Sequence, residues 1–268
     1  MLCIMTPVES LSDLEKELYE QMVYSIESIK ESKTMGISFS GGIDSSLLAK
    51  IAKDLDYDVI LLTMGFQDSH DVEFSKIMAK TLQMKHEIEL IPEKTFSDVA
   101  KKIWEAINVD NLSWNENCIA FYYVAKLAKK HNISKVITAN GIDELFCGYN
   151  SYRDFIPEGE EAVLELMKEK LDNEIRMMKA VNHIASEFKV QIVQPFLSEK
   201  FIEFAKTIPL EYKIKDKDDL VRKHIVRKLA LSIGVPEESA LKQKKAMQYG
   251  SLIHKNFLKV KKSWNMNF

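Results

Sequence analysis

Six residues in the stretch SFSGGIDSSLLAK (Ser38–Lys50) carry the groups an anion site needs: Ser40, Gly41, Gly42, Asp44, Ser45 and Ser46. The glycines let backbone N–H groups come close to an anion. The run that follows reads as a helix, and its first turn adds the positive end of the helix dipole. Ser45 and Ser46 add hydroxyl donors. Together these make a phosphate cradle at a strand-to-helix turn. It is not a Walker A loop, whose lysine is missing, and it is not the dinucleotide-binding G-x-G-x-x-G. The phosphates therefore need another source of positive charge. Asp44 could supply one indirectly, by holding Mg²⁺ against them. Taken alone, Asp44 reads equally as a helix-start residue stabilised by the dipole.

Two further stretches could take part in chemistry. TANGIDELFCGYN (Thr138–Asn150) again runs from apolar residues through a glycine, Gly141, to an acidic helix start at Asp143. LKQKKAMQYGS (Leu241–Ser251) places Lys242, Lys244 and Lys245 ahead of Gly250 and Ser251. In isolation Asp143 is a helix cap and KQKK a solvated basic patch. The histidines, His70, His86, His131, His183, His224 and His254, have no metal-ligand spacing. The cysteines, Cys3, Cys118 and Cys147, are odd in number and far apart, which fits free thiols in a reducing cytoplasm.

The elements that must position these residues follow from hydrophobic periodicity. Helical spacing over Ser10–Ser32 puts Leu14, Leu18, Met22, Ile26 and Ile29 on one face, with Ser10 or Ser12 as cap. Strands are expected at Met35–Phe39, Asp58–Phe66, His86–Leu90 and Lys135–Ala139. Helices are expected at Asp44–Leu55, Asp71–Met84, Lys94–Ile107 and Asn117–His131. This alternation implies an α/β fold: a doubly wound parallel sheet of about five strands with helices on both faces. From about Tyr149 onward the pattern turns helical. The expected division is an N-terminal helix over 1–32, an α/β core over 33–150 that carries both glycine-containing turns, and a helical part over 151–268 that completes the same domain. In such a sheet ligands bind beyond the carboxyl ends of the strands, where both glycine-containing turns fall.

Bulk properties narrow the class. The chain has 268 residues, 46% hydrophobic and 29% charged, with a net charge of −3. That composition is globular, and the charge gives no reason to expect a nucleic-acid partner. No apolar run reaches the ~20 residues of a membrane span, and the start lacks a signal peptide's basic region and apolar core. A cytoplasmic protein is expected.

SGGIDSS resembles the S-G-G-x-D-S-S pyrophosphate loop of the N-type ATP pyrophosphatases. Within that group the chain is similar to the synthetase domain of asparagine synthetases and β-lactam synthetases, from roughly residue 33 to residue 250. TMGFQDSHDVEFSKIMAKTL resembles their second-strand segment, and NGIDELFCGY their G-x-G-A-D-E-L-F-G-G-Y motif. QPFLSEKFIEFAKTIPLEYKI, KHIVRKLA and LKQKKAMQYGS follow in the family's order. The resemblance implies an enzyme that adenylates a carboxylate with ATP, releases pyrophosphate, and lets an amine displace AMP. Ser40, Gly41, Gly42, Ser45 and Ser46 match the pyrophosphate loop, and Asp44 and Asp143 match Mg²⁺-binding aspartates. Lys244 matches a lysine that reaches the α-phosphate, with Lys242, Lys245 and Lys223 as neighbours of less defined role. The adenosine is expected against Ile37, Met64, Ala139, Asn140 and Gly141. Tyr149 and Tyr152 could touch substrate.

Departures from the family pattern concern the other substrate. The residues before the loop do not match a glutaminase domain, and Leu2 precedes Cys3 where a nucleophilic cysteine would follow the initiator methionine. Nitrogen is then expected from free ammonia, a separate glutaminase subunit, or an amine. A family glutamate matches Asn140, an arginine matches Val193, the aspartate after it Ser198, and a second arginine Asn115. These changes remove groups that would recognise aspartate's charges. Two other readings stand beside an ammonia-using ligase for a small-molecule carboxylate. One is a different acceptor on the same ATP site, such as intramolecular amide closure or nucleobase or tRNA modification. The other is a non-catalytic ATP/AMP-binding subunit. A homodimer is compatible with the sequence.

Overall fold

A computed structural model describes residues 11–29, 34–243 and 245–264. Five parallel strands form one sheet: β1 (Thr34–Ser38), β2 (Asp58–Gly65), β3 (Lys85–Leu90), β4 (Lys135–Ile137) and β5 (Gln191–Val193). Their order across the sheet is β3-β2-β1-β4-β5. Four strands lie within two residues of the expected limits. The fifth, β5, falls in the stretch that reads as helical, because three residues are too few to show a period of two.

The longer helices are α1 (Asp13–Glu27), α2 (Ile43–Asp54), α3 (His70–Thr81), α4 (Glu93–Ile107) and α5 (Leu112–Lys130). After two short turns, α6 (Ile142–Leu145) and α7 (Ser151–Phe155), come α8 (Glu160–Ala185), α9 (Glu199–Thr207) and α10 (His224–Ser232). Two more short turns, α11 (Glu237–Ala240) and α12 (Met247–Gly250), lead to α13 (Ile253–Ser263). Among the described residues no helix is long and apolar enough to cross a membrane.

Strand β2 shows how the two faces are built. Val59 and Leu61 point into one core, while Ile60, Leu62 and Met64 point into the other. This is the alternation expected of a strand buried on both sides. The first core gathers α1, α2, α9 and α10 through Leu18, Leu47, Phe201 and Leu229. The second gathers α4, α5, α8 and α13 through Phe96, Phe121, Met177 and Phe257. Both cores therefore draw on chain from either side of residue 150. Glu15 accepts the backbone N–H of Ser12 and pairs with Lys228 at 2.9 Å, tying α1 to α10.

Candidate active site

The strand order reverses between β1 and β4. The chain leaves β1 toward β2 on one side and leaves β4 toward β5 on the other. Their following loops diverge and open a crevice at the carboxyl edge of the sheet, the place where doubly wound sheets bind ligands. Both glycine-containing motifs lie there.

The first loop is held in shape by its own polar groups. Ser45 Oγ donates to Gly42 O at 3.1 Å and accepts from Ser40 N at 3.3 Å. Gly41 has φ +77°, and a Cβ there would lie 3.0 Å from the Phe74 ring and 3.3 Å from the Ser75 backbone. Only glycine meets both conditions. Asp44 sits in the first turn of α2.

Asp44 does not stand alone. Lys223, fully buried, places Nζ 2.8 and 2.6 Å from the two Asp44 carboxylate oxygens and 2.7 Å from Asp143 Oδ1. Burial lowers the Lys223 pKa and the attraction of Asp44 opposes that shift. Lys223 is presented by a strained turn. Arg222 and Lys223 have φ of +49° and +52°, a region that bulky residues rarely occupy. Asp219 holds the turn by accepting the backbone N–H groups of Lys215, Val221 and Arg222, and it contacts the His224 ring at 2.6 Å. Partial burial opposes ionisation of Asp219, but the Arg222 and Lys215 N–H bonds and His224 outweigh it and draw its carboxyl down to about 2. On the opposite side Gly148 allows the approach: a Cβ there would lie 1.9 Å from Asp143 Oδ1 and 2.8 Å from Lys223 Cε.

Asp44 and Asp143 form part of the wall of a cleft of about 350 Å³, whereas Lys223 is fully buried and does not line it. Of the residues expected at the site, Ser40, Gly42, Asp44, Ser45, Met64, Ala139, Asn140 and Asp143 line it. Ile37, Gly41, Ser46 and Gly141 do not, and each has a structural reason. The Ile37 side chain is buried in the core beneath β1. The carbonyl of Gly41 accepts hydrogen bonds from Ser46 Oγ and Ser239 Oγ, so the Ser46 hydroxyl is turned away from the cleft. Gly141 packs against the Phe196 backbone with φ +106°. Lys244 lies outside the described residues, as do Leu2 and Cys3. Its neighbours Lys242 and Lys245 line the cleft, with Lys242 Nζ 3.1 Å from the Phe74 ring centroid. Beside them Asp71 is buried, and its carboxyl is pushed up to about 6 by that burial, against the pull of His70, Lys245 and Lys242.

The far end of the cleft is built by α6 and α8. Asn140 accepts from Thr138 Oγ1 and donates through Nδ2 to Glu174 Oε1 at 2.6 Å. Tyr149 donates its hydroxyl to Glu144, whose other oxygen accepts the Gly141 N–H at 3.1 Å. Burial, then repulsion from Glu174, raises the Glu144 pKa, and burial raises that of Glu174 against the Asn140 hydrogen bond. Tyr149 lines the cleft. Tyr152 is fully buried below it and donates to Glu144 O at 2.7 Å. Asn115 is not at the cleft; its amide donates to Val109 O and Asn111 O, both at 2.9 Å, at the start of α5. Ser198 is the N-cap of α9.

The sequence model of the asparagine synthase family matches residues 25–187 and 162–264. The chain belongs to that family. A putative glutamine-hydrolyzing asparagine synthetase of Methanocaldococcus jannaschii is 31% identical over 267 residues, which is 87% of this chain and 48% of the relative. A glutamine-hydrolyzing asparagine synthetase of Bacillus subtilis is 31% identical over 153 residues, 55% of this chain and 24% of the relative. The chain thus spans about half or less of the curated relatives it matches. The solved NMN synthetase of Francisella tularensis is 16% identical, with a TM-score of 0.49 over 91% of this chain and 77% of its own.

In this asparagine synthase-family chain, no three His, Cys, Asp or Glu side chains among the described residues gather to hold a metal by themselves. Asp44 and Asp143 suit Mg²⁺ in the other way proteins hold it, with one or two carboxylates completed by water and substrate phosphate oxygens. Their meeting at one ammonium shows that the two carboxylates converge on a common point. The group that sequence reasoning left undefined is Lys223. Its place in KHIVRKLA was the available signal, but nothing local marks that lysine as buried. Glu174 was missed altogether, because it sits in a charged helix whose repeat looks like an ordinary solvated face.

Proposed function

We propose that this chain is an ATP-dependent ligase that adenylates a small-molecule carboxylate, releases pyrophosphate, and transfers the acyl group to nitrogen with loss of AMP. The observation that carries the reading is the convergence of Asp44 and Asp143 on Lys223 beside the Ser40–Ser46 loop. These charges stand where a pyrophosphate leaving group is cradled by a helix N-terminus. Preorganised charge of this kind stabilises a phosphoryl-transfer transition state at little reorganisation cost. Asp44 and Asp143 would hold Mg²⁺, which neutralises charge building on the leaving phosphates. Lys223 brings a second positive charge to the same place. Ser40, Gly42 and Ser45 bind the pyrophosphate, and Met64, Ala139 and Asn140 flank the adenosine. Nitrogen comes from ammonia, an amine, or a separate glutaminase. Aspartate is disfavoured as the acceptor by the carboxyl groups at the far end.

The test is to incubate the protein with ATP, Mg²⁺ and a panel of carboxylates, with and without ammonium, and to follow AMP and pyrophosphate. The expected result is both products in equal amounts, dependent on one carboxylate. ADP as the sole product would refute adenylation, and nucleotide binding without turnover on any carboxylate would indicate a regulatory subunit.

A further inference from the structure

Asp71, in the first turn of α3, is 4% exposed and lines the cleft. Its Oδ1 pairs with His70 Nδ1 at 3.0 Å, whereas its Oδ2 is buried with no hydrogen-bond partner. A buried carboxylate oxygen normally has a donor. Two ammonium groups stand near it. Lys242 and Lys245 line the same cleft, and the charges of both act on Asp71. Neither fills the place at Oδ2: Lys242 Nζ lies over the Phe74 ring instead, and Lys245 is exposed. The two lysines also repel one another, and for Lys242 the attraction of Asp71 outweighs that repulsion.

The segment that carries these lysines is a strap fixed at both ends. At one end Arg227 Nη1 donates to Ala240 O and, at 2.9 Å, to Lys242 O. At the other the Phe66 N–H donates to Ser251 O at 3.1 Å, and Gly250 packs so closely on Asp71 that a Cβ there would lie 2.0 Å from Oδ1. Between these anchors Lys242, Lys245 and Gln248 line the cleft together with Ser40 and Ser45 of the first loop.

We propose that Asp71 is a positioning residue for nucleotide binding, its Oδ2 receiving the Lys245 ammonium and so fixing the strap over the triphosphate. This rests on the ATP site of the ligase reading and gives a role to a group outside the phosphate loop and the two aspartates. An ammonium has three N–H donors, so one goes to Oδ2 and two remain for phosphate oxygens. His70 holds Oδ1 and stacks on Phe74, with 5.6 Å between ring centroids, which fixes the direction in which Oδ2 points. Without the carboxylate the two lysines repel each other and neither has a fixed place.

The test uses binding, so that it does not depend on ATP turnover. The full chain is titrated calorimetrically with α,β-methylene ATP, whose α,β linkage resists cleavage, and separately with adenosine. Asp71→Asn removes a negative charge, so simple attraction predicts tighter binding of the anionic analogue. Positioning predicts the reverse: binding of the analogue weakens about tenfold or more, the loss of one charge-assisted hydrogen bond, while binding of adenosine is unchanged. In a chain that already carries Lys242→Met and Lys245→Met, Asp71→Asn should change analogue binding by less than about twofold. Equal or tighter binding of the analogue by Asp71→Asn, equal weakening of adenosine, or the same loss in the lysine-free background would each overturn the inference. If Asp71→Asn does not fold, crystals of the unaltered chain with the analogue decide instead. Lys245 Nζ within hydrogen-bonding distance of Asp71 Oδ2 supports the inference, and any other partner at Oδ2, or none, overturns it. Failure of the unaltered chain to bind the analogue would remove the nucleotide site and the inference with it. Binding of the analogue without pyrophosphate release from ATP would sink the ligase reading alone.

Discussion

Replacing Lys223 with methionine tests the centre of the proposed site. The substitution keeps the length of the side chain and removes its charge. In the structure that charge is fully buried and lies 2.6–2.8 Å from carboxylate oxygens of two aspartates. At about 2.7 Å and an effective dielectric of roughly 20, each attraction is about 6 kcal/mol before desolvation is counted. Burying the ammonium offsets much of that, and removing one member of a buried cluster has a typical net cost of about 3–5 kcal/mol. The aspartate side chains keep 17% and 12% of their exposure, so water can relieve part of the repulsion left behind. The lower end, about 3 kcal/mol, is therefore expected, which lowers the melting temperature by about 6–12 °C for a chain near this size. The remaining carboxylates should then attract a cation, so millimolar Mg²⁺ should raise the melting temperature of Lys223→Met more than that of wild type. Adding Asp44→Asn and Asp143→Asn should recover most of the lost stability, because no charge is then left unpaired. Melting within about 2 °C of wild type, or an equal response of both proteins to Mg²⁺, would refute the reasoning.

Other outcomes follow from the same geometry. Gly148→Ala drives a methyl group into the Asp143 carboxylate and the Lys223 stem. Displacing those groups by an ångström should lower pyrophosphate release about a hundredfold while circular dichroism stays native. Gly250→Ala places a Cβ 2.0–2.3 Å from the Asp71 carboxyl atoms. It should cost about 1–3 kcal/mol in urea unfolding, and Asp71→Ala on top should cost less than the sum of the two changes. Asp219 has a native pKa near 2 against an ordinary value of 3.8. Its contribution is therefore full above about 3.8 and is lost as pH falls through about 2. Asp219→Asn should lose about 1.5–3 kcal/mol at neutral pH and show a shallower acid-unfolding profile below pH 3.8. Glu174 is shifted the other way, above its ordinary 4.5. The fold should lose stability as pH rises from there through the raised native value, and Glu174→Gln should flatten that slope.

Local sequence already contains the parts of this molecule that depend on neighbours in the chain. The glycine-serine loop, the acidic start of α6 and the alternation of strands with helices are legible because turn chemistry and hydrophobic period act over a few residues. They also predict a doubly wound sheet, and with it the edge at which a ligand binds. Helix α1 is equally readable, with Leu18, Met22 and Ile26 buried on one face as their spacing requires. Strand β5 is too short to carry a period, and pairing with β4 makes it a strand. The site itself was decided by the path of the chain. Lys223 lies 179 residues from Asp44, and a lysine in VRKHIVRKLA has the same local character whether it is solvated or buried. Only the packing of α10 against α1, α2 and α11, with Asp219 holding the turn, brings its ammonium between the two aspartates. The same holds for Glu174. Its helix reads as a charged face, yet folding turns that face into the cleft, where burial and the Asn140 amide set its chemistry. Periodicity determines which face a residue occupies, and tertiary structure determines what that face meets.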